Sequence, residues 1–187
     1  MRAHRHLTLI RSWTVAACLV AACAPARAAA DSSDPSQPWA SEGAPASAWP
    51  CRLVVAKDLL PRVQILWERS PRFRAQCARL ARAGAVVLLR AATSVQIQRP
   101  AQSRVGVSAD GVTVAQVLVR MSADTLEHIG HEFEHVLEHL DKVNLREELA
   151  HLRSGVTVSD VGYETDRAID AGRRVAREVR GSSRSQR

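Results

Sequence analysis

Apolar residues return in two rhythms along the chain. From Leu59 to Glu68, and again from Phe73 through Cys77 to Leu80 and Ala81, they recur every three or four positions, the period of a helix with one buried face. Pro61 is tolerated in the first turn of the first of these helices. Ser70-Pro71 opens the second, with Ser as N-cap and Pro at the first helical position, and Gly84 stops it. Arg52–Val55 (RLVV) and Ala85–Leu89 (AVVLL) read as short strands, and Val95–Gln98 is expected to extend the sheet. Val105–Ser108 and Val112–Arg120 flank Ala109-Asp110-Gly111, a hairpin signal. Val112, Val114, Val117 and Val119 break strict alternation, which predicts a bulge near Ala115-Gln116.

After Met121 the pattern is helical. One helix, capped by Ser122 or Asp124, should run to about Val143. A shorter one should begin at Asn144 and end near Ser154-Gly155. A last one, capped by Thr157 or Ser159, should reach Val179, leaving 181–187 as a disordered tail. The fold class expected is α+β: a small antiparallel or mixed sheet preceded by two helices and followed by three.

The N-terminus follows a different logic. Basic Arg2, Arg5 and Arg11 precede the apolar run Trp13–Ala22, and small residues follow. This is the pattern of a secretory signal over residues 1–28, with cleavage after Ala28 at Ala26-Arg27-Ala28. The apolar run is shorter than the roughly 20 residues that a membrane-spanning helix needs. Val20-Ala21-Ala22-Cys23 also resembles a lipobox, so acylation at Cys23 is the alternative. Residues 29–49, rich in Ala, Ser and Pro, read as a flexible linker, and the folded domain is expected over 50–180. The chain is expected to be exported, either periplasmic or secreted, or else membrane-anchored as a lipoprotein.

Composition matters mainly through what it removes. The 187 residues carry 26 Lys+Arg against 19 Asp+Glu, a net charge of +7. Four of those arginines lie in residues 1–28, which hold no acid; removing the four from 26 leaves 22 bases against 19 acids, a net +3. With aromatics at 4%, no basic stripe with interleaved stacking residues remains, so nucleic acid is not an expected partner. Cleavage at Ala28 would leave two cysteines, Cys51 and Cys77. In an oxidising compartment they are a candidate disulfide, and two unpaired buried thiols are the competing reading.

The candidate chemistry is concentrated. All five histidines beyond residue 28 lie between 128 and 151. Within them stands His131-Glu132-Phe133-Glu134-His135, an HExxH motif. Imidazoles four residues apart project from one helix face and can share a cation, and zinc suits such ligands. A neighbouring carboxylate can then take a proton from metal-held water and pass it to a leaving amine. The motif also satisfies the inverted pattern HxxEH, with Glu134 as base, and His135-Val136-Leu137-Glu138-His139 satisfies it again. At 100° per residue, Glu132 and Glu134 lie about 80° to either side of the histidine pair, so helix geometry does not choose between them. The flanking Gly130, Phe133 and Leu137 favour Glu132 and leave Glu134 as a solvated or supporting acid. Glu127, Glu134 and Glu138 also fit a plain polar helix face.

At this motif the chain resembles the zincin metallopeptidases. The resemblance spans about residues 112–180 and is specific over 129–137. It implies a zinc-dependent peptidase acting on peptide or protein, with His131 and His135 as ligands and Glu132 activating water. A strand just before the motif helix, here Val112–Arg120, would pair with extended substrate at the sheet edge.

A third ligand is required. Asp141 stands at the metzincin-like offset, but Glu138 replaces the Gly turn which that arrangement uses. His139 is expected at the rim, and His151 follows a polar segment. Glu164 is the preferred candidate, because it falls on the small and apolar stripe Val161, Ala168, Gly172, Val175 and Val179, where an acid is costly unless paired. This resembles the gluzincin branch, such as thermolysin. An Asp four residues after the ligand Glu supports a histidine in those members; that position here is Ala168, so Asp160 or Asp166 would have to serve. Tyr163, the only tyrosine, is a candidate oxyanion stabiliser. Two other readings compete with the peptidase: a non-catalytic envelope protein whose His/Glu-rich helix binds metal, and a purely structural exported domain.

Overall fold

The structure, a computed structural model, describes residues 49–159 and 162–184. The expected signal (1–28) and residues 29–48 of the expected linker lie outside the described residues, as do Asp160, Val161 and 185–187. Trp49, placed in the linker from sequence, packs edge-on against Trp67 with ring centroids 5.6 Å apart.

The chain runs β1 (Arg52–Val55), α1 (Leu60–Arg69), α2 (Pro71–Arg82), β2 (Val86–Ala92), β3 (Ala101–Val107), β4 (Thr113–Arg120), α3 (Thr125–Leu140), α4 (Leu145–Glu148), β5 (Val156–Ser159), β6 (Gly162–Thr165) and α5 (Asp166–Arg184). Strands β1 to β4 form one mixed sheet in the order β1-β2-β4-β3; β1, β2 and β4 are parallel and β3 is antiparallel to β4. Strands β5 and β6 form a separate antiparallel pair. This agrees with α+β. No helix among the described residues is long and apolar enough to cross a membrane.

The sheet buries one face. Leu53 and Val55 of β1, Val87 and Leu89 of β2, and Ala115, Val117 and Val119 of β4 alternate with half-buried or exposed neighbours, the period-two signature of one covered side. Phe73, Cys77 and Leu80 of α2, Ile129, Phe133 and Val136 of α3, and Val175 and Val179 of α5 complete the core, with the rings of Phe73 and Phe133 5.2 Å apart. Ser70 caps α2 as its sequence announces, accepting the Phe73 N–H at 3.0 Å.

Several expectations are corrected. Val95–Gln98 forms turns rather than a strand, with the Gln96 side chain accepting the Thr93 N–H at 2.8 Å. β4 carries no bulge: its pairing with β3 is continuous from Ala101↔Val119 to Val107↔Thr113. Its buried set is Ala115, Val117 and Val119, while Val112 precedes the strand and Val114 lies on the other face. Nor is β4 an edge strand. Its parallel pairing with β2 places it inside the sheet, and the hairpin sends β3 to the edge beside α3. The helix begun at Asn144 is a single turn. Val156–Ser159 and Gly162–Thr165 are a strand pair, so the last helix starts at Asp166 and continues past Val179 to Arg184. Backbone preference accounts for the pair: Gly162 takes φ 136°, which L side chains rarely adopt, and β-branched residues fill β5.

Candidate metal centre

Helix α3 carries the motif because its buried residues Ile129, Phe133, Val136 and Leu137 keep helical spacing against the sheet and α5. It continues through Glu138 to Leu140 and ends with Lys142 in the left-handed conformation, φ 57°. The Val143 N–H closes on the Glu138 carbonyl at 3.0 Å, a Schellman-type end.

Close packing of α5 sets the site's width. A Cβ at Gly172 would lie 2.8 Å from the Glu127 carbonyl oxygen and 3.0 Å from His131 Cβ; one at Gly130 would lie 2.7 Å from Val175 Cγ2. The two glycines therefore let α3 and α5 approach at the level of His131, which brings the segment just before α5 over the motif.

Three side chains converge there. His131 Nε2 and His135 Nε2 are 3.1 Å apart, and Glu164 Oε1 is 3.1 Å from each. They are the one group of His, Cys, Asp or Glu side chains among the described residues that could hold a metal ion. Glu164 comes from β6 and not from a helix, so the apolar stripe that singled it out is not the reason for its placement. It also accepts the Thr165 N–H at 3.2 Å. Burial pulls the His135 pKa down, but hydrogen bonds to Glu138 and Glu164 outweigh it and push the value up to about 10. Burial works in the other direction on Glu164, yet the two imidazoles hold its carboxyl well below the usual range.

A further pair of residues supports the cluster. His135 Nδ1 meets Glu138 Oε2 at 2.7 Å, and the Thr165 hydroxyl donates to Glu138 Oε1 at 2.6 Å. Both Glu138 and Thr165 are buried. Thr165 carries no role in the sequence reading, and Glu138 stands there only as the acid of a second HxxEH match or as part of a polar helix face. The available signal was the spacing: three residues after His135 is the same face of the helix. Asp166 is exposed at the start of α5.

Glu134 is not solvated, and its carboxylate is engaged by residues outside the cluster. It is wholly buried, accepting from Arg72 at 2.8 Å, Arg167 at 2.8 Å and Gln76 at 2.8 Å. Burial raises its pKa, but these partners more than reverse the effect and hold it below the ordinary value. Asp141 belongs to the same network, bound by Arg79 at 2.7 Å and Arg167 at 2.8 Å.

Glu132 faces the other way. With Tyr163, His135 and His139 it lines a cleft of about 300 Å³, whose opposite wall includes Gln102, Ser103 and Val105 of β3. His139 is exposed on this rim, and His151 lies exposed elsewhere. Cys51 and Cys77 are both buried, each as a free thiol in this structure.

Compared with protein-family models, with curated proteins and with solved structures, the chain matches none.

Proposed function

We propose that the chain is a zinc-dependent, zincin-like metallopeptidase in which His131, His135 and Glu164 hold the ion and Glu132 is the catalytic base. One observation carries the reading: three lone-pair-bearing atoms from two separate segments meet with every separation 3.1 Å. Such atoms repel unless a cation or protons lie between them. Tetrahedral zinc, with bonds of about 2.0–2.1 Å, spaces its ligands by about 3.3 Å, within a few tenths of an ångström of what is found. Two imidazoles and a carboxylate are the donor set of a catalytic zinc site, which keeps one position for substrate or water.

Bound there, zinc supplies a Lewis acid that polarises a carbonyl oxygen and lowers the pKa of water to near neutrality. The chain's own residues supply the rest. Glu132, on the cleft flank of α3, takes the proton of the attacking water and returns it to the departing amine, so that water adds across the amide and no proton is lost. The Tyr163 hydroxyl, also lining the cleft, donates a hydrogen bond to the oxygen that gains negative charge. Among the described residues the outer edge of β3 has no neighbour in its sheet, and β3 lines the cleft, which suits an extended peptide backbone added as a further strand.

The competing metal-buffer reading expects many available ligands along α3. Glu134 is taken up by two arginines and a glutamine, and Glu138 by His135 and Thr165, which favours a single built site. Metal analysis of the purified protein decides between them. One zinc per chain, with a large loss of affinity in Glu164→Ala, supports the proposal. Several ions per chain, or Glu164→Ala binding as tightly as the parent, overturns it. A chain that binds no zinc and is unaffected by chelator points to the structural reading.

A further inference from the structure

We propose that Glu138 and Thr165 form a positioning relay that holds His135 protonated at Nδ1 and leaves its Nε2, which faces His131 and Glu164, as the atom that would bind an ion; this rests on the metal-centre reading above. The proton positions follow from the order of contacts. The Ala168 N–H donates to Thr165 Oγ1 at 2.9 Å, which makes Thr165 the N-cap of α5. With that lone pair occupied, the hydroxyl proton goes to Glu138 Oε1 at 2.6 Å. The other carboxylate oxygen, Oε2, faces His135 Nδ1 at 2.7 Å. An ionised carboxylate only accepts, so the proton on that contact belongs to the imidazole, and Nε2 is left as the ligand atom.

Two features make the relay more than a local contact. Glu138 and Thr165 are 2% and 4% exposed, so water does not substitute for either partner. The relay also starts at the N-terminus of the 19-residue helix α5, whose dipole favours negative charge at Glu138. Because Thr165 directly follows Glu164, the same hydroxyl that orients the histidine of α3 fixes the backbone beside the third ligand on β6. The role expected of Asp160 or Asp166 therefore belongs to a residue on the motif helix itself.

The test is a zinc competition titration on the full chain and its variants. It is joined by the absorption spectrum of the cobalt-substituted protein and by nitrogen NMR of the His135 tautomer. With the parent binding one zinc, Glu138→Gln is expected to weaken affinity about 10-fold and Glu138→Ala up to about 100-fold, the range typical of such supporting partners. Thr165→Val should weaken it about 10-fold, and Thr165→Ser should restore it. The tetrahedral cobalt bands should shift in Glu138→Gln, which keeps the side chain's shape and decides the matter if Glu138→Ala does not fold. Parent-like affinity, cobalt spectrum and Nδ1–H tautomer in Glu138→Gln would overturn the relay while leaving the metal centre standing. A parent chain that binds neither zinc nor cobalt overturns both.

Discussion

On the cleft side of α3, Glu132 lies beside His135 and Tyr163; on the side facing α2 and α5, Glu134 is sealed among Arg72, Gln76 and Arg167. The two carboxylates are two residues apart and nearly mirror images about the histidine pair. Their chemistry differs because their neighbours differ. Glu134 has its acceptor capacity filled by fixed cations from two other helices, so it joins α2, α3 and α5 and has nothing to offer a substrate. Glu132 is nearly as buried, at 5% exposure, but it borders a space that a ligand can enter. Burial alone does not separate an acid whose bonds are filled from one left open to a ligand; what occupies the carboxylate does.

The largest expected effect breaks the comparison at Glu132. Glu132→Gln should lower peptide hydrolysis by two to four orders of magnitude, with zinc stoichiometry and thermal midpoint unchanged. Assays with a chelator-sensitive peptide substrate and metal analysis measure this. Retained turnover would remove Glu132 from the mechanism. Glu134→Ala should do the reverse, lowering stability by about 1.5–3 kcal/mol, because it leaves the buried Gln76 amide and the half-buried Arg72 and Arg167 guanidinium groups without their acceptor. Chemical denaturation measures that loss, and a change below about 1 kcal/mol would contradict the structural role.

The two flanks also predict opposite pH behaviour. The Glu134 carboxyl is held below its ordinary value by Gln76 and Arg167 against the effect of burial. Its contribution is complete above the ordinary carboxylate pKa, about 4.3, and is lost as pH falls through the depressed folded value. His135 in the metal-free chain is shifted upward, to about 10. Its contribution is complete below the ordinary histidine value, about 6.5, and is lost as pH rises through about 10. Thermal midpoints of the chelator-treated protein should therefore fall at both ends. Zinc should remove the alkaline decline, since the ion replaces the proton. Glu134→Gln should flatten only the acid limb.

The smallest effect concerns the spacing that the two flanks share. Gly172→Ala places a methyl group 2.8 Å from the Glu127 carbonyl oxygen, a backbone atom that cannot swing aside. It should cost about 1–3 kcal/mol despite alanine's better helix propensity. Gly130→Ala meets a side chain, Val175 Cγ2 at 2.7 Å, and should be the milder of the two. Because Gly172 also faces His131 Cβ, Gly172→Ala should weaken zinc binding alongside stability; Gly130→Ala should change stability more than affinity. Parallel denaturation and zinc titrations make the distinction.

Local signals were legible. The cap at Ser70, the stop at Gly84, the hairpin around Asp110-Gly111 and the motif helix are set by neighbours in sequence, through propensity, periodicity and turn chemistry. So was the pairing of His131 with His135, which needs only a helical turn. Long-range pairing was not legible. Nothing within Val112–Arg120 says that β2 will claim one edge and β3 the other, because both faces of that choice satisfy the same alternation. Nor does the stripe through Ala168 and Val175 reveal that Glu164 stops short of the helix and reaches the histidines from a strand. The strand pairing of Val156–Ser159 with Gly162–Thr165, and not helical spacing, sets its position.

By itself, then, the sequence determined the elements whose forces act within a turn or a hairpin, and it narrowed the chemistry to one helix and a few acids. The tertiary structure decided which acid meets cations, which meets the cleft and which meets the imidazoles. That division has a physical origin. A side chain's intrinsic chemistry travels with the residue, but desolvation, hydrogen-bond partners and approach distance come from segments up to about a hundred residues away, and only the packed chain brings them within 3 Å.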